Sequence, residues 1–284
     1  MILIIKKHTA VAAAVLAAFL TVAVFAVKPV YSEGVPLPVV MYHHISPKYE
    51  LQNEYTISPE EFENDMKYIS ECGYSAISVE QLVNFAENGA PLPEKSILIT
   101  FDDGFESFYK YAYPIIVKYN FHAVMAIVGD FTDKFTEAND HNTDYSYMTW
   151  DEIKELSRSG YVDIANHTYD MHSLKSARKG CKIKYGESTG ANKEVMDKSL
   201  MEFQNKIEDN IGSTTRVFAY PFGFLCKEAG QLLNEYGFKI AFTCSEKVND
   251  ISGDKAVFMK LGRFNRPSGV PTYKFFSKLL ETEK

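Results

Sequence analysis

Beyond its first thirty residues the chain is a succession of short apolar runs separated by amphipathic stretches. The run 38–42 reads as a buried strand. Ser58-Pro59-Glu60-Glu61 then supplies a helix N-cap, a first-turn proline and a capping-box glutamate. Phe62, Met66 and Ile69 follow at helical spacing until Gly73 stops the helix. Strands are predicted over 75–79 and 96–101, with a helix over 81–87 between them, then a helix over 109–119 and a strand over 123–128. Thr149-Trp150-Asp151-Glu152 opens another capped helix that ends at Gly160, before a strand over 161–166. A long helix over 193–210, a strand over 216–220, a helix over 227–236, a strand over 239–243 and a last strand over 256–261 complete the pattern. Strands alternating with helices at this period predict an α/β fold with a parallel sheet. Seven or eight such units suit a (β/α) barrel better than an open sheet. Two connections, 129–148 and 168–192, are long enough to suggest functional loops.

The first thirty residues differ. Lys6 and Lys7 precede an unbroken apolar or small run of 18 residues, 10–27, with Val24-Phe25-Ala26 as a small-residue exit. This is a signal peptide or an N-terminal membrane anchor. Either sends residues 31–284, read as a single domain, across a membrane. Composition narrows the class further. The 284 residues are 46% apolar and 24% charged, which excludes disordered, collagen-like and coiled-coil proteins. A net charge of −7 lacks the basic footprint of a nucleic-acid or anionic-membrane binder. Cys72, Cys181, Cys226 and Cys244 show no C-x-x-C spacing, so neither a thiolate zinc site nor a redox dithiol is expected. Three pairings are open to four cysteines; buried free thiols are the expectation.

Three segments carry candidate chemistry, each at the end of a predicted strand. Thr100-Phe101-Asp102-Asp103-Gly104 places two carboxylates where a barrel builds its active site. Adjacent strand residues face opposite ways, so both face the rim only if the chain turns, which Gly104 permits. Asn166-His167-Thr168-Tyr169-Asp170-Met171-His172 holds two histidines five apart. They converge only where a strand becomes a loop, and there they can meet a carboxylate around a divalent metal with positions left open. Phe218-Ala219-Tyr220-Pro221-Phe222-Gly223 ends a third strand. Asp140, Asn142 and Asp144 have the opening spacing of a calcium loop, but Tyr145 stands where its glycine belongs, and the segment reads as a solvated polar loop.

Thr-Phe-Asp-Asp-Gly followed by His-Thr and a second histidine resembles the polysaccharide deacetylase family, the NodB-homology or carbohydrate esterase family 4 domain. The likeness spans residues 36–265. It implies a distorted (β/α) barrel that removes N- or O-acetyl groups from a glycan with a divalent metal, commonly zinc, with cobalt, nickel, manganese or iron as alternatives. By that resemblance Asp102 is the general base, Asp103, His167 and His172 are metal ligands, and the Phe222 N–H donates to the oxyanion. The wider spacing between His167 and His172 resembles that of the poly-β-1,6-N-acetylglucosamine deacetylases. The usual Arg-Pro-Pro-Tyr motif lacks its arginine here, and Arg263, past the last strand, is the candidate replacement. No Leu-x-His occurs near the C-terminus. Met41-Tyr42-His43-His44-Ile45 instead resembles a permuted form of that motif, making His43 the candidate general acid and leaving His44 as the alternative.

The leader places the expected site of action outside the cytoplasm, a monomer is expected, and the resemblance implies a substrate among poly-N-acetylglucosamine, peptidoglycan, a chitin-like glycan and acetylated xylan. A non-catalytic glycan-binding protein on the same barrel is one rival. A non-haem iron oxygenase is another, since two histidines and a carboxylate also make its facial triad; the second aspartate and the leader argue against it.

Overall fold

The apolar runs assemble into one parallel sheet of eight strands: β1 (Val39–Tyr42), β2 (Ser75–Ala76), β3 (Ser96–Phe101), β4 (Ala123–Ile127), β5 (Val162–Asn166), β6 (Val217–Ala219), β7 (Ile240–Phe242) and β8 (Phe264–Asn265). The structure, a computed structural model, describes residues 34–173 and 178–280. The strand order is β7-β6-β5-β4-β3-β1-β8, with β2 paired to the start of β3. Between β7 and β1 the sheet is bridged by residues 261–266. Leu261 exchanges backbone bonds with Ala241 and Thr243, and the Arg266 N–H donates to Met41 O. The result is a distorted β/α barrel whose seam is one irregular segment. The run 10–27 lies outside the described residues, and among those described no helix is long and apolar enough to cross a membrane.

Eight α-helices accompany the sheet among the described residues: α1 (Pro59–Glu71), α2 (Val79–Asn88), α3 (Tyr113–Lys118), α4 (Gly129–Ala138), α5 (Trp150–Arg158), α6 (Thr189–Ile211), α7 (Lys227–Glu235) and α8 (Thr272–Phe276). The period-two alternation of the strands sorts their side chains into two layers. Val40, Tyr42, Ile99, Phe101, Met125 and Ile164 pack with α1, α3, α5 and α6. Val39, Leu98, Val124, Ala126, Ala165 and Val217 face the other way, onto Leu82 and Val83 of α2. Because every strand runs in the same direction, the C-terminal ends of β1, β3, β5 and β6 share one rim.

The capping signals hold at atomic detail. Ser58 Oγ accepts from Glu61 N while the Glu61 carboxylate accepts from Ser58 N, and Thr149 and Glu152 repeat the arrangement at α5. Elsewhere the chain departs from the pattern. The predicted strand 256–261 is a 3₁₀ helix, Lys255–Lys260, because the Asp254 side chain accepts from Ala256 N and winds the backbone. The last strand is β8, further on. The predicted helix 109–119 begins as a π turn over Phe108–Ala112 and becomes α-helical only at Tyr113. Pro114 lacks the N–H that would close a regular turn onto Lys110, and its ring needs the extra room. The connection 129–148 holds α4, whose N-cap, Val128, makes no side-chain cap and so leaves no start signal. No disulfide links the cysteines, but only Cys181 is fully buried; Cys72 and Cys226 are half-buried and Cys244 is exposed.

One charge lies on the apolar face of α1. Asp65 is fully buried and accepts from Arg266 Nε at 2.8 Å, Tyr42 OH at 3.1 Å and Thr272 Oγ1 at 2.8 Å. This ties α1 and the start of α8 to the seam. Asp65→Ala strands a buried guanidinium and is expected to cost about 3–5 kcal/mol in urea unfolding. A loss below about 1 kcal/mol, the range of an exposed pair, would show that the pair is not a structural tie.

Candidate active site

The site begins where β3 ends. Asp102 continues the ladder, its N–H donating to Tyr42 O, and the chain then turns sharply: Asp103 and Gly104 both have left-handed backbones, at φ 75° and 87°. That turn sends the two adjacent carboxylates to different partners. Asp102, 3% exposed, receives both arms of the fully buried Arg263 guanidinium at 2.7 Å each, while Arg263 Nε donates to Thr243 O. Burial alone would raise the Asp102 pKa, but the Arg263 charge and His167 outweigh it and hold the carboxyl well below its usual range. Asp103 instead faces the histidines.

The histidines are brought together by a second turn. The Asn166 side chain accepts from Thr168 N at 2.8 Å, Thr168 takes a left-handed backbone at φ 69°, and its hydroxyl accepts from Met171 N. His167 and His172 then lie with ring centroids 4.7 Å apart. Their Nε2 atoms are 3.6 and 3.3 Å from Asp103 Oδ1, a buried oxygen with no hydrogen-bond partner among the described residues. His167 Nδ1 lies 2.8 Å from Ala219 O, so Nδ1–H donates there and Nε2 presents its lone pair to Asp103. Burial pushes the His167 pKa down to about 4, which keeps the imidazole neutral. Tetrahedral zinc sites, with ligand bonds of about 2.0–2.2 Å, set their ligand atoms roughly 3.4 Å apart. The orphaned carboxylate oxygen, the fixed tautomer and the spacing all fit a divalent metal.

The remaining sequence candidates reach the same place. Phe222, just past β6, has a left-handed backbone at φ 59° and stacks its ring on His172 at 4.5 Å. Non-glycine residues in this conformation are uncommon outside Asn and Asp. Thr168 and Phe222, at the ends of two strands, therefore mark the rim as locally strained. His43 follows β1, packs edge-on to Tyr55 and leaves its buried Nδ1 without a hydrogen-bond partner among the described residues. Burial lowers its pKa, opposed by the Asp103 and Asp102 charges. His44 turns aside: its Nε2 bonds Thr143 O at 2.8 Å and its ring packs edge-on against Phe105.

These groups line a cleft of about 800 Å³. Its other walls include Leu51, Tyr55 and Phe105, which belong to no motif and which the sequence did not single out, and Asp144 and Cys244, which it read only as part of a solvated loop and as a thiol. Aromatic and apolar walls beside converging polar groups suit a ligand such as a sugar ring, with apolar faces and polar edges.

Residues 89–241 match the family described as polysaccharide deacetylase. That stretch contains Asp102, Asp103, His167, His172 and Phe222, while His43 and Arg263 lie outside it. The chain is 28% identical over 198 residues to the poly-beta-1,6-N-acetyl-D-glucosamine N-deacetylase of Staphylococcus aureus (strain MRSA252), covering 70% of this chain and 64% of that protein. It is 25% identical over 223 residues to the protein of the same name from Escherichia coli (strain K12), covering 72% of this chain and 33% of that one. The chain thus spans less than two thirds of the length of these relatives. Among solved structures, the de-N-acetylase from Aggregatibacter actinomycetemcomitans superposes with a TM-score of 0.70 at 26% identity, covering 86% of this chain and 98% of that one.

Proposed function

The chain belongs to the polysaccharide deacetylase family, and from that premise we propose that it is a metal-dependent hydrolase removing acetyl groups from an N-acetylated polysaccharide, with a β-1,6-linked poly-N-acetylglucosamine as the first substrate to test. The observation that carries this reading is the pairing of an orphaned Asp103–His167–His172 donor cluster with an arginine-held Asp102 on one rim. The names of the similar proteins supply the substrate class. The proposed organisation is a leader over residues 1–30 and a catalytic domain over 31–284. The basic start and apolar run of the leader support a domain that works outside the cytoplasm, either released or anchored.

Asp103, His167 and His172 would hold the metal, with zinc the first choice for one carboxylate and two imidazoles. When bound, the metal supplies a Lewis acid for the acetyl carbonyl and lowers the pKa of a water molecule. Asp102 takes the proton of the attacking water, and Arg263 keeps that carboxylate ionised and aimed. The Phe222 N–H donates to the acetyl oxygen as it gains charge. His43 delivers a proton to the departing amine nitrogen. Tyr55 and Phe105 offer apolar walls to the sugar rings.

The test is acetate release from poly-N-acetylglucosamine, peptidoglycan, chitin oligomers and acetylated xylan, with and without chelator. Chelator-sensitive release from an N-acetylated glycan is expected. Release from xylan alone would mean an O-acetyl esterase, and binding without release a glycan-binding protein. For the acid, His43→Ala should keep its metal and lose at least roughly tenfold in kcat on the glycan, and less on an activated ester whose leaving group barely needs a proton. His44→Ala, which loses a bond to Thr143 O and a ring contact with Phe105, should be milder. The reverse ranking would move the acid to His44.

A further inference from the structure

A second group of donors lies outside the machinery described so far. Glu106, three residues past Asp103, is 4% exposed. Glu152 sits in the first turn of α5, where its Oε2 caps Thr149 and its Oε1 points elsewhere. His141 comes from the loop between α4 and α5, and its Nδ1 is 3.0 Å from Glu152 Oε1 and 3.3 Å from Glu106 Oε1. One ligand atom from each residue falls within 4.8 Å of the other two. The second carboxylate oxygen of Glu106, Oε2, is buried with no hydrogen-bond partner among the described residues.

We propose that Glu106, His141 and Glu152 form a second cation site, for a divalent transition metal of the zinc, nickel, cobalt or manganese class, that fastens the loop between α4 and α5 to the barrel. The argument is one of charge and spacing. Two carboxylates facing each other in a largely buried place carry two negative charges. An imidazolium cancels one and has a single Nδ1 proton to share between them. A divalent cation with a neutral imidazole cancels both and also engages the orphaned oxygen. The separations of 3.0 and 3.3 Å are of the same order as the 3.3 and 3.6 Å of the Asp103 cluster. One nitrogen and two carboxylate donors favour these metals over calcium or magnesium, which take oxygen alone.

The neighbouring Asp140, Asn142 and Asp144 are not rivals for the ion. Asp140 Oδ1 accepts from Asn142 N and Asn142 Oδ1 from Asp144 N, so those two side chains fold back onto their own loop, while the Asp144 carboxylate pairs with Lys48. That loop bonds the segment after β3, through Ser146 O to Glu106 N and through Met148 N to Gly104 O. It also carries Thr143, whose carbonyl holds His44, and Asp144, which lines the cleft. An ion at Glu106, His141 and Glu152 would therefore set one wall of the substrate cleft without taking part in the chemistry.

The inference stands apart from the choice of substrate, and its test counts metal instead of acetate. Purified protein is dialysed against zinc and its metal measured by elemental analysis, while hydrogen exchange follows residues 139–148. His172→Ala, which removes a ligand of the first cluster, should retain one equivalent that is lost in the double variant with His141→Ala. Zinc should slow exchange in the loop at least roughly tenfold in the first protein and not in the second. Glu106→Gln combined with His172→Ala should behave like the His141 double variant. Equal zinc content in His172→Ala and both double variants, or loop exchange indifferent to zinc in all three, would overturn the site and leave His141 as an imidazolium between two carboxylates.

Discussion

His172→Ala should abolish acetate release while leaving the barrel folded. His172 is the most exposed of the three proposed ligands, with 19% of its side chain accessible, and it lies in the loop after β5, so its removal leaves no buried partner stranded. His167→Ala is a harsher change. It also deprives Ala219 O of its donor, an added cost of about 1–3 kcal/mol for a buried unsatisfied group. If the metal contributes several kcal/mol to the transition state, at tenfold per 1.36 kcal/mol its loss lowers kcat/KM by about 10³ or more. Chelating the wild-type protein should give the same fall, with activity restored by zinc, cobalt or nickel. Full activity in metal-stripped protein would remove the metal from the mechanism altogether.

The parts of this site that can be read along the chain are those fixed by local geometry. Capping boxes at Ser58 and Thr149, and apolar runs ending in Asp102, His167 and Tyr220, depend on neighbours within a few residues, so sequence displays them. The convergence of His167 with His172 depends on the Asn166 side chain reaching Thr168 N and on a left-handed Thr168, which no periodicity reveals. Helix α4 was hidden because Val128 offers its start no side-chain cap. The turn over 255–260 reads as a strand along the chain because its apolar residues match either form, and only the Asp254 cap decides. Glu106, His141 and Glu152 come from three separate segments and form no motif; folding alone brings them together. Arg263 lies between these extremes. A missing arginine in one motif suggested a replacement from another rim position, and the irregular seam over 261–266 is what carries it to Asp102.

The Asp102–Arg263 pair leads to the other large effect. Asp102→Asn should retain its metal, since Asp103 and the two histidines are untouched, yet lose ~10²–10⁴ in kcat, the usual range for a lost proton-transfer group. Equal metal loss in Asp102→Asn and Asp103→Asn would mean that the two carboxylates have been assigned the wrong way round. Stability must be measured alongside, because an amide facing a fully buried guanidinium leaves that charge uncompensated, which can cost about 3–5 kcal/mol. Arg263→Lys separates charge from orientation. Lysine keeps the positive charge but cannot grip both carboxylate oxygens as the two 2.7 Å bonds now do. A positioning role predicts a fall in kcat with KM and metal content near wild type, because an arginine that only holds the base would contact neither substrate nor metal. A purely structural role predicts something different: a lower unfolding temperature, with kcat intact in the fraction that remains folded. Measuring kcat, KM and thermal unfolding on the same preparation distinguishes the two, and a kcat unchanged in folded Arg263→Lys would end the claim that this arginine aims the base.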